Sequence, residues 1–148
     1  MSINHASDAA RLHIEGISAG FISSLGQDFV SALYEAIAAS PEGFGLAAVD
    51  EQGRVVGFVA FCTNLKGLYK SVIRKNALRF GFLLGRKLLS LSRIKKIVQT
   101  LFYPEKTQQY DLPDAELLSI AVDASARGQG LAYQLIEAGF AECRQRGI

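Results

Sequence analysis

The feature that most constrains the fold is a predicted strand, a glycine-containing loop and a predicted helix in direct succession between residues 117 and 145. Residues 117–122 form an apolar, partly β-branched run of strand length. Residues 123–126 are turn-like, and helical spacing of apolar residues begins at Leu131. The apolar face predicted for this helix holds Leu135, Ile136, Gly139, Phe140 and Cys143. Such a succession requires a fold that combines sheet and helix.

The loop in this succession predicts an anion-binding site. The amides in the first turn of a helix have no partner within the helix, and the helix dipole there favours negative charge. Gly128 and Gly130 allow a phosphate to approach the backbone without interference from a Cβ atom. Arg127 adds a positive charge at the edge of the loop. A pyrophosphate is therefore the expected ligand.

Two common phosphate-binding motifs do not fit the loop. A P-loop requires a lysine after its last glycine, and Gly130 is followed by Leu131. A dinucleotide fingerprint requires glycine or alanine where this chain has Tyr133. The pattern that fits is Arg127-x-x-Gly130-x-Ala132 directly after a strand that ends Ile-Ala-Val, and an ordinary glycine-rich turn is the alternative.

In this setting the pattern resembles the acyl-CoA-binding signature of the GNAT acetyltransferase superfamily, Gln/Arg-x-x-Gly-x-Gly/Ala. The resemblance implies acetyl-CoA as cosubstrate and no metal. It implies that the backbone of the strand holds the pantetheine and the thioester, and that the amides of the loop hold the pyrophosphate. The residues implied in binding are Ile120, Ala121, Val122, Arg127, Gly128, Gln129, Gly130, Leu131 and Ala132.

The upstream chain contains the elements that this superfamily uses. Residues 2–4 are predicted as a short first strand, residues 7–15 as a helix and residues 16–24 as a loop. A second helix carries an apolar stripe and ends before Pro41. Strands are predicted at 44–49 and 55–62, joined by a hairpin turn at 50–53, and Gly57 predicts a bulge or a close backbone approach. The second helix stripe is Phe29, Val30, Leu33, Tyr34 and Ile37.

The resemblance implies a GNAT-like α/β fold (an α+β arrangement) with a mixed sheet and helices on both faces, in a single domain over residues 1–148. The chain ends where the superfamily continues into a fifth strand, another helix and two more strands. We therefore expect only the N-terminal two-thirds of the fold. The chain is then a fragment, or another subunit completes its site.

Residues 64–110 are predicted to be a basic helical insert between the third and fourth predicted strands. Apolar residues of the insert follow a near-helical spacing, and we expect this helix to be broken or bent around Gly81 and Gly85. Ser92 is a candidate cap for a further helix that follows it. Residues 53–103 contain no acidic residue and eleven Lys or Arg residues. Such a face is most simply solvated. It also suits an anionic acceptor such as a nucleotide-linked sugar, a carrier protein, or a membrane or nucleic-acid surface, although no aromatic-interleaved stripe favours RNA.

The expected reaction is direct transfer of an acetyl group to an amine, which must first lose a proton. Glu116 is the candidate general base, because by alternation it would share a strand face with Leu118, Ile120 and Val122, and its position before the loop resembles that of the glutamate base of histone-acetylating relatives. The alternative is a solvent-facing carboxylate. Tyr133 is expected to pack, and His13 to be a surface or core histidine rather than a base.

Two function hypotheses follow. The first is an N-acetyltransferase that acts on a small or sugar-linked amine. The second is a non-catalytic module that self-associates as a homodimer through the exposed edge of the fourth predicted strand, or binds an anionic partner. Cys62 and Cys143 lie in apolar settings and indicate a reducing, cytoplasmic location. No apolar stretch reaches the roughly 18–20 residues that a spanning helix needs, and no signal-peptide pattern is present.

Overall fold

The structure is a computed structural model, and it describes residues 2–85 and 115–148. Three strands and five helices are found in these ranges, and from residue 6 onward their order is the predicted one except for an additional single-turn helix at Phe21–Ser24. In chain order the elements are a 3-10 turn Ile3–His5, α1 Ala6–Gly16, α2 Phe21–Ser24, α3 Gln27–Ala38, β1 Gly43–Val49, β2 Val55–Cys62, α4 Leu65–Gly85, β3 Glu116–Val122 and α5 Leu131–Gln145.

The described strands form an antiparallel sheet in the order β1-β2-β3. The predicted hairpin between β1 and β2 is confirmed. The Asp50 carboxylate accepts the amides of Gln52 and Arg54 at 3.0 and 2.8 Å, and Gly53 adopts a φ of +77°. All pairings among the described residues are antiparallel, so the parallel pairing that a mixed sheet requires is not among them.

One face of the sheet packs against α1 and α3. Ala6, Ala9 and Ala10 of α1 are fully buried, and such small side chains allow the helix to lie close to its neighbours. Tyr34 of α3 packs edge-on against Phe58 of β2, with their ring centroids 5.0 Å apart. These side chains belong to the larger of two apolar clusters, which lie on opposite faces of the sheet.

The opposite face packs against α5, so the predicted arrangement of helices on both faces is confirmed. Leu135 and Cys143 lie over Phe61 and Val59 of β2 in this second cluster. The close approach predicted at Gly57 is also confirmed, because a Cβ atom there would lie 3.1 Å from a Leu135 methyl carbon. The packing of α5 against β2 fixes the direction in which the helix leaves the loop.

Helix α4 is the described part of the predicted insert. The Asn64 side chain caps its start by accepting the Gly67 amide at 2.6 Å, and Leu65, Leu68 and Val72 are buried. The helix continues through Gly81, so a break there is wrong, whereas a bend, or a break at Gly85 where the described range ends, stays a prediction. An isolated glycine costs a helix only about 1 kcal/mol, which the packed face offsets. The remainder of the insert, including the Ser92 cap, lies outside the described residues.

Two N-terminal expectations differ from the structure. Residues 2–4 do not form a strand, because the Ser2 carbonyl accepts the His5 amide at 3.0 Å and closes a 3-10 turn that leads into α1. The loop expected at 16–24 contains the single-turn helix α2, whose Phe21 and Ile22 pack against Leu25 and Phe29. In both places local turn bonds and apolar packing decided the structure.

Candidate functional site

The site is built on β3 and on the loop that joins it to α5. The strand ends at Val122, and the Asp123 amide donates to the Val56 carbonyl at 2.8 Å. The Asp123 carboxylate then accepts the Ser125 amide at 3.0 Å and the Ser125 hydroxyl at 2.7 Å. These two bonds and the Arg11 guanidinium, 3.2 Å away, hold the pKa of Asp123 at about 2. The turn is thereby anchored to both β2 and α1 before the chain enters the loop.

Gly128 and Gly130 give the loop its shape. Their φ angles are +78° and +74°, a left-handed conformation that costs other residues roughly 1–2 kcal/mol. A Cβ atom at either position would meet open space, so conformation rather than crowding is what requires glycine. Gly130 is the N-cap residue of α5 and provides no capping side chain. The first turn of α5 is therefore left without a side-chain acceptor.

The amides of Gly128 and of residues 130–132 make no hydrogen bond within the ranges that the structure describes, whereas residues 127 and 128 form a hydrogen-bonded turn that uses the Gln129 amide. The first bond of the helix runs from the Gln134 amide to the Gly130 carbonyl, at 3.1 Å. The Arg127 side chain folds back and donates from Nε to the Val122 carbonyl at 3.1 Å, which keeps its charge beside the loop. Open donors, a helix N-terminus and a nearby guanidinium are the elements of an anion cradle.

The residues of β3 that lead into this cradle divide between the two faces of the sheet. Ile120 and Val122 pack into the apolar cluster on the sheet face that α5 covers, whereas Ala121 is buried in the apolar cluster on the opposite face, which α1 covers. β3 is an edge of the described sheet, because β2 is its only strand partner there. An extended ligand could therefore pair with the main chain of β3 along the edge that faces away from β2.

A β-bulge places Glu116 on a different face from the one expected. Leu117 is opposite Phe61 and Ser119 is opposite Ala60, which leaves Leu118 as an extra residue in β3. The extra residue reverses the alternation, so Glu116 shares the face of its partner Cys62. The prediction that Glu116 lies on one face with Ile120 and Val122 is therefore wrong.

Glu116 lies instead on the sheet face that α1 and α4 cover, where it is exposed. Burial raises the pKa of the Cys62 thiol to about 11, and the Glu116 carboxylate contributes to that rise. The pKa of Tyr69, on α4, is raised by burial first and by the same two side chains after it. A carboxylate, a buried thiol and a phenol thus lie together where β2, β3 and α4 meet.

A buried polar cluster beneath β3 escaped the sequence analysis. His13 Nδ1 lies 2.7 Å from the Tyr34 hydroxyl and 3.2 Å from the Ser119 hydroxyl, and burial lowers the pKa of His13. His13 is thus a core histidine, one of the two predicted alternatives. Its bond to Ser119 spans 106 residues of sequence, so no local pattern could have indicated it.

The predicted packing role of Tyr133 is wrong. Its side chain is 68% exposed on the first turn of α5, next to the loop. The residues of α5 that are buried are Leu135, Gly139 and Cys143, which lie on the face turned toward β2. Tyr133 falls outside that face by helical spacing.

No group of three or more His, Cys, Asp or Glu side chains in residues 2–85 and 115–148 has a geometry that could hold a metal ion. Within the same ranges, none of the helices combines the length and the apolar character needed to cross a membrane.

The described structure is thus an antiparallel sheet between two helical layers, and the edge strand of this sheet leads into the glycine loop before α5. The sequence model of the acetyltransferase (GNAT) family matches residues 14–148, and the chain belongs to this family. Neither the curated proteins nor the solved structures include a match to it. The family membership supports acyl transfer in general, and it agrees with the fold that the loop motif implied.

Proposed function

We propose that the protein is an N-acetyltransferase that transfers an acetyl group from acetyl-CoA to the primary amine of a small-molecule or sugar-linked acceptor. The observation that carries the proposal is the set of unbonded amides at Gly128 and residues 130–132, which follow the edge strand of the described sheet. The amides of the loop would bind the pyrophosphate, with Arg127 beside them. The main chain of Ile120 and Val122 would hold the pantetheine and the thioester.

The donor set of the loop fits such a ligand. Residues 127–130 and Ala132 are exposed, so a diphosphate can reach the amides from solvent. The left-handed glycines leave open space on the side where a side chain would otherwise stand. No step in this binding needs a change in the hydrogen bonds of the Asp123 turn, which is already complete.

We propose direct attack as the chemistry. The acceptor nitrogen attacks the thioester carbon, the carbon–sulfur bond breaks, and the CoA thiolate leaves. The nitrogen loses one proton, for which Glu116 is the proposed acceptor. Because the bulge places Glu116 on the face covered by α1 and α4, the amine is expected to approach from that face.

Binding of acetyl-CoA to purified protein, followed as a rise in melting temperature, tests the proposal. At 100 times its dissociation constant a ligand stabilises by about 2.7 kcal/mol, which corresponds to a rise of about 5–10 °C for a domain of this size. The Gly130→Ala variant should lose that rise, because its strained loop no longer presents the amides.

Gly53→Ala is the matched control. Gly53 also has a positive φ and open space around it, but it lies in the β1–β2 turn rather than in the loop. Both variants should lower the melting temperature of the free protein to a similar extent, and only Gly130→Ala should lose the response to acetyl-CoA. A wild-type protein that shows no shift at millimolar acetyl-CoA would contradict the proposal.

A second candidate function is that of a non-catalytic module that forms a homodimer through the edge of β3. It is favoured by the 39% exposure of Leu117 on that edge strand and by the exposure of Phe140 on α5. Sedimentation velocity at increasing concentration tests this candidate. A monomer at all concentrations, together with acetyl-CoA binding, would decide for the enzyme.

We further propose a cytoplasmic location, supported by two cysteines that are free and buried.

A further inference from the structure

Helix α4 carries apolar side chains both on its buried face and outside it. Leu65, Leu68 and Val72 are buried against the domain. On the outer face Leu78 is 92% exposed, and Ala77 next to it is also exposed. A surface helix normally has one apolar face, because polar residues on the other face are solvated at no cost. The outer face of α4 therefore has the character of a contact surface.

The same outer face is strongly basic. Helix α4 contains five Lys or Arg residues and no acidic residue. Arg79 is ion-paired with Glu35 of α3. The other four, which are Lys66, Lys70, Arg74 and Lys75, are exposed and make no ion pair with any described residue.

The geometry of the helix places these cations and the exposed leucine together. Lys66, Lys70 and Arg74 follow one another at a spacing of four residues, which aligns them over about 12 Å of the helix. At about 100° per residue, Leu78 lies about 40° from Arg74 and about 80° from Lys70 around the axis. A flat anionic surface could therefore meet Lys66, Lys70, Arg74 and Leu78 at once, whereas Lys75 lies about 180° from Lys66 around the axis and points elsewhere.

We propose that the outer face of α4 binds the surface of a bilayer that contains anionic phospholipid. The phosphate and carboxylate groups of the lipid headgroups complement the cations that make no ion pair with the described residues, and Leu78 enters the boundary between headgroups and acyl chains. A nucleic-acid backbone would satisfy the cations but would leave Leu78 in water. The proposal does not depend on the acyl-transfer activity.

Co-sedimentation of the full chain with large vesicles tests the proposal. One set of vesicles contains phosphatidylcholine alone, and the other contains phosphatidylserine at 30 mol% in phosphatidylcholine. We expect binding to the anionic set only, with a marked decrease between 50 and 500 mM NaCl because the attraction is screened. Equal binding to both sets, or binding that salt does not weaken, would overturn the proposal.

Two variants test which side chains make the contact. A double variant with Lys70→Gln and Arg74→Gln should bind about 25-fold more weakly, at about fivefold for each cation near an anionic bilayer. The Leu78→Ser variant should bind roughly tenfold more weakly. All three side chains are exposed, so the melting temperature should change little.

The controls are Arg144→Gln, an exposed cation on α5, and Val49→Ser, a 54% exposed apolar residue at the end of β1. Neither should weaken vesicle binding. If Arg144→Gln weakens binding as much as the double variant, net charge rather than α4 explains it and the proposal fails. If Leu78→Ser has no effect while the charge variant does, the partner is a polyanion such as nucleic acid. If Leu78→Ser instead abolishes self-association in the absence of vesicles, the partner is a second copy of the chain.

Discussion

The contact between α5 and the sheet can be tested at Gly139. This glycine is buried, and a Cβ atom added to it would lie only 2.6 Å from Cζ of Phe61, and closer still to Cε2. The Phe61 ring is 2% exposed and stacks on Phe44 with their centroids 5.2 Å apart. The ring cannot move away without disturbing that stack and its contact with Phe140. The Gly139→Ala substitution therefore overpacks the second cluster.

Two opposing effects determine the size of the change. Overpacking a well-packed core costs about 1–3 kcal/mol. Replacing a glycine inside a helix by alanine contributes about 1 kcal/mol in the opposite direction. We expect the Gly139→Ala variant to lose up to about 2 kcal/mol of unfolding free energy. At 2–4 °C per kcal/mol, its melting temperature falls by up to about 8 °C.

Gly81→Ala is the matched control, because Gly81 lies inside α4 and an added Cβ atom there would meet open space. At that site only the higher helix propensity of alanine acts, so the unfolding free energy of the variant should rise by about 0.5–1 kcal/mol. Urea denaturation and thermal melting of both variants measure the difference. If Gly139→Ala stabilises the protein as much as Gly81→Ala, α5 does not lie against Phe61, and the packing that orients the loop is not as described.

Three further outcomes are expected. Burial lowers the pKa of His13, so the unfolded chain binds a proton more readily than the folded one. The unfolding free energy therefore falls as the pH drops below about 6.5. Urea denaturation should show that this fall in unfolding free energy is shallower in the His13→Gln variant. Glu116→Gln should reduce kcat by about 10²–10⁴ with little change in the KM for acetyl-CoA, as steady-state kinetics will measure. The pKa of Asp123, which Ser125 and then Arg11 hold at about 2, should rise more in Ser125→Ala than in Arg11→Gln, as carboxyl NMR titration will show.

Each of these outcomes has a clear contradiction. An unchanged pH dependence in the His13→Gln variant would mean that another group titrates in that range. Full activity in the Glu116→Gln variant would exclude Glu116 as the base. It would not contradict the proposed binding of acetyl-CoA by the loop. A larger effect of Arg11→Gln than of Ser125→Ala on Asp123 would show that the ion pair dominates the turn.

The strands and helices that position the loop were largely predictable from the sequence. The strand-length apolar run of β2, the stripe on α3 and the apolar spacing of α5 are local patterns, and the structure places a strand, a helix and a helix there. The glycine loop was predictable for the same reason. Its conformation depends on residues that are adjacent in the chain, and its amides are left open by the absence of a capping side chain.

The position of Glu116 was not predictable, because the bulge at Leu118 arises from the pairing of β3 with β2. A single extra residue moves every side chain before it to the other face, and alternation read along one strand cannot detect it. The contact of His13 with Ser119 depends in the same way on how α1 packs against β3.

The sequence by itself determined the order of elements from α1 onward apart from the single-turn helix α2, the glycine loop at residues 127–132 and the basic character of the middle of the chain. Only the tertiary structure decided which face of the sheet Glu116 occupies, which histidine is buried and which cations of α4 make no ion pair with the described residues. The physical reason is range: propensity, turn geometry and charge content act between neighbours in the chain. Strand register, burial and ion pairing depend on segments brought together from distant parts of the sequence.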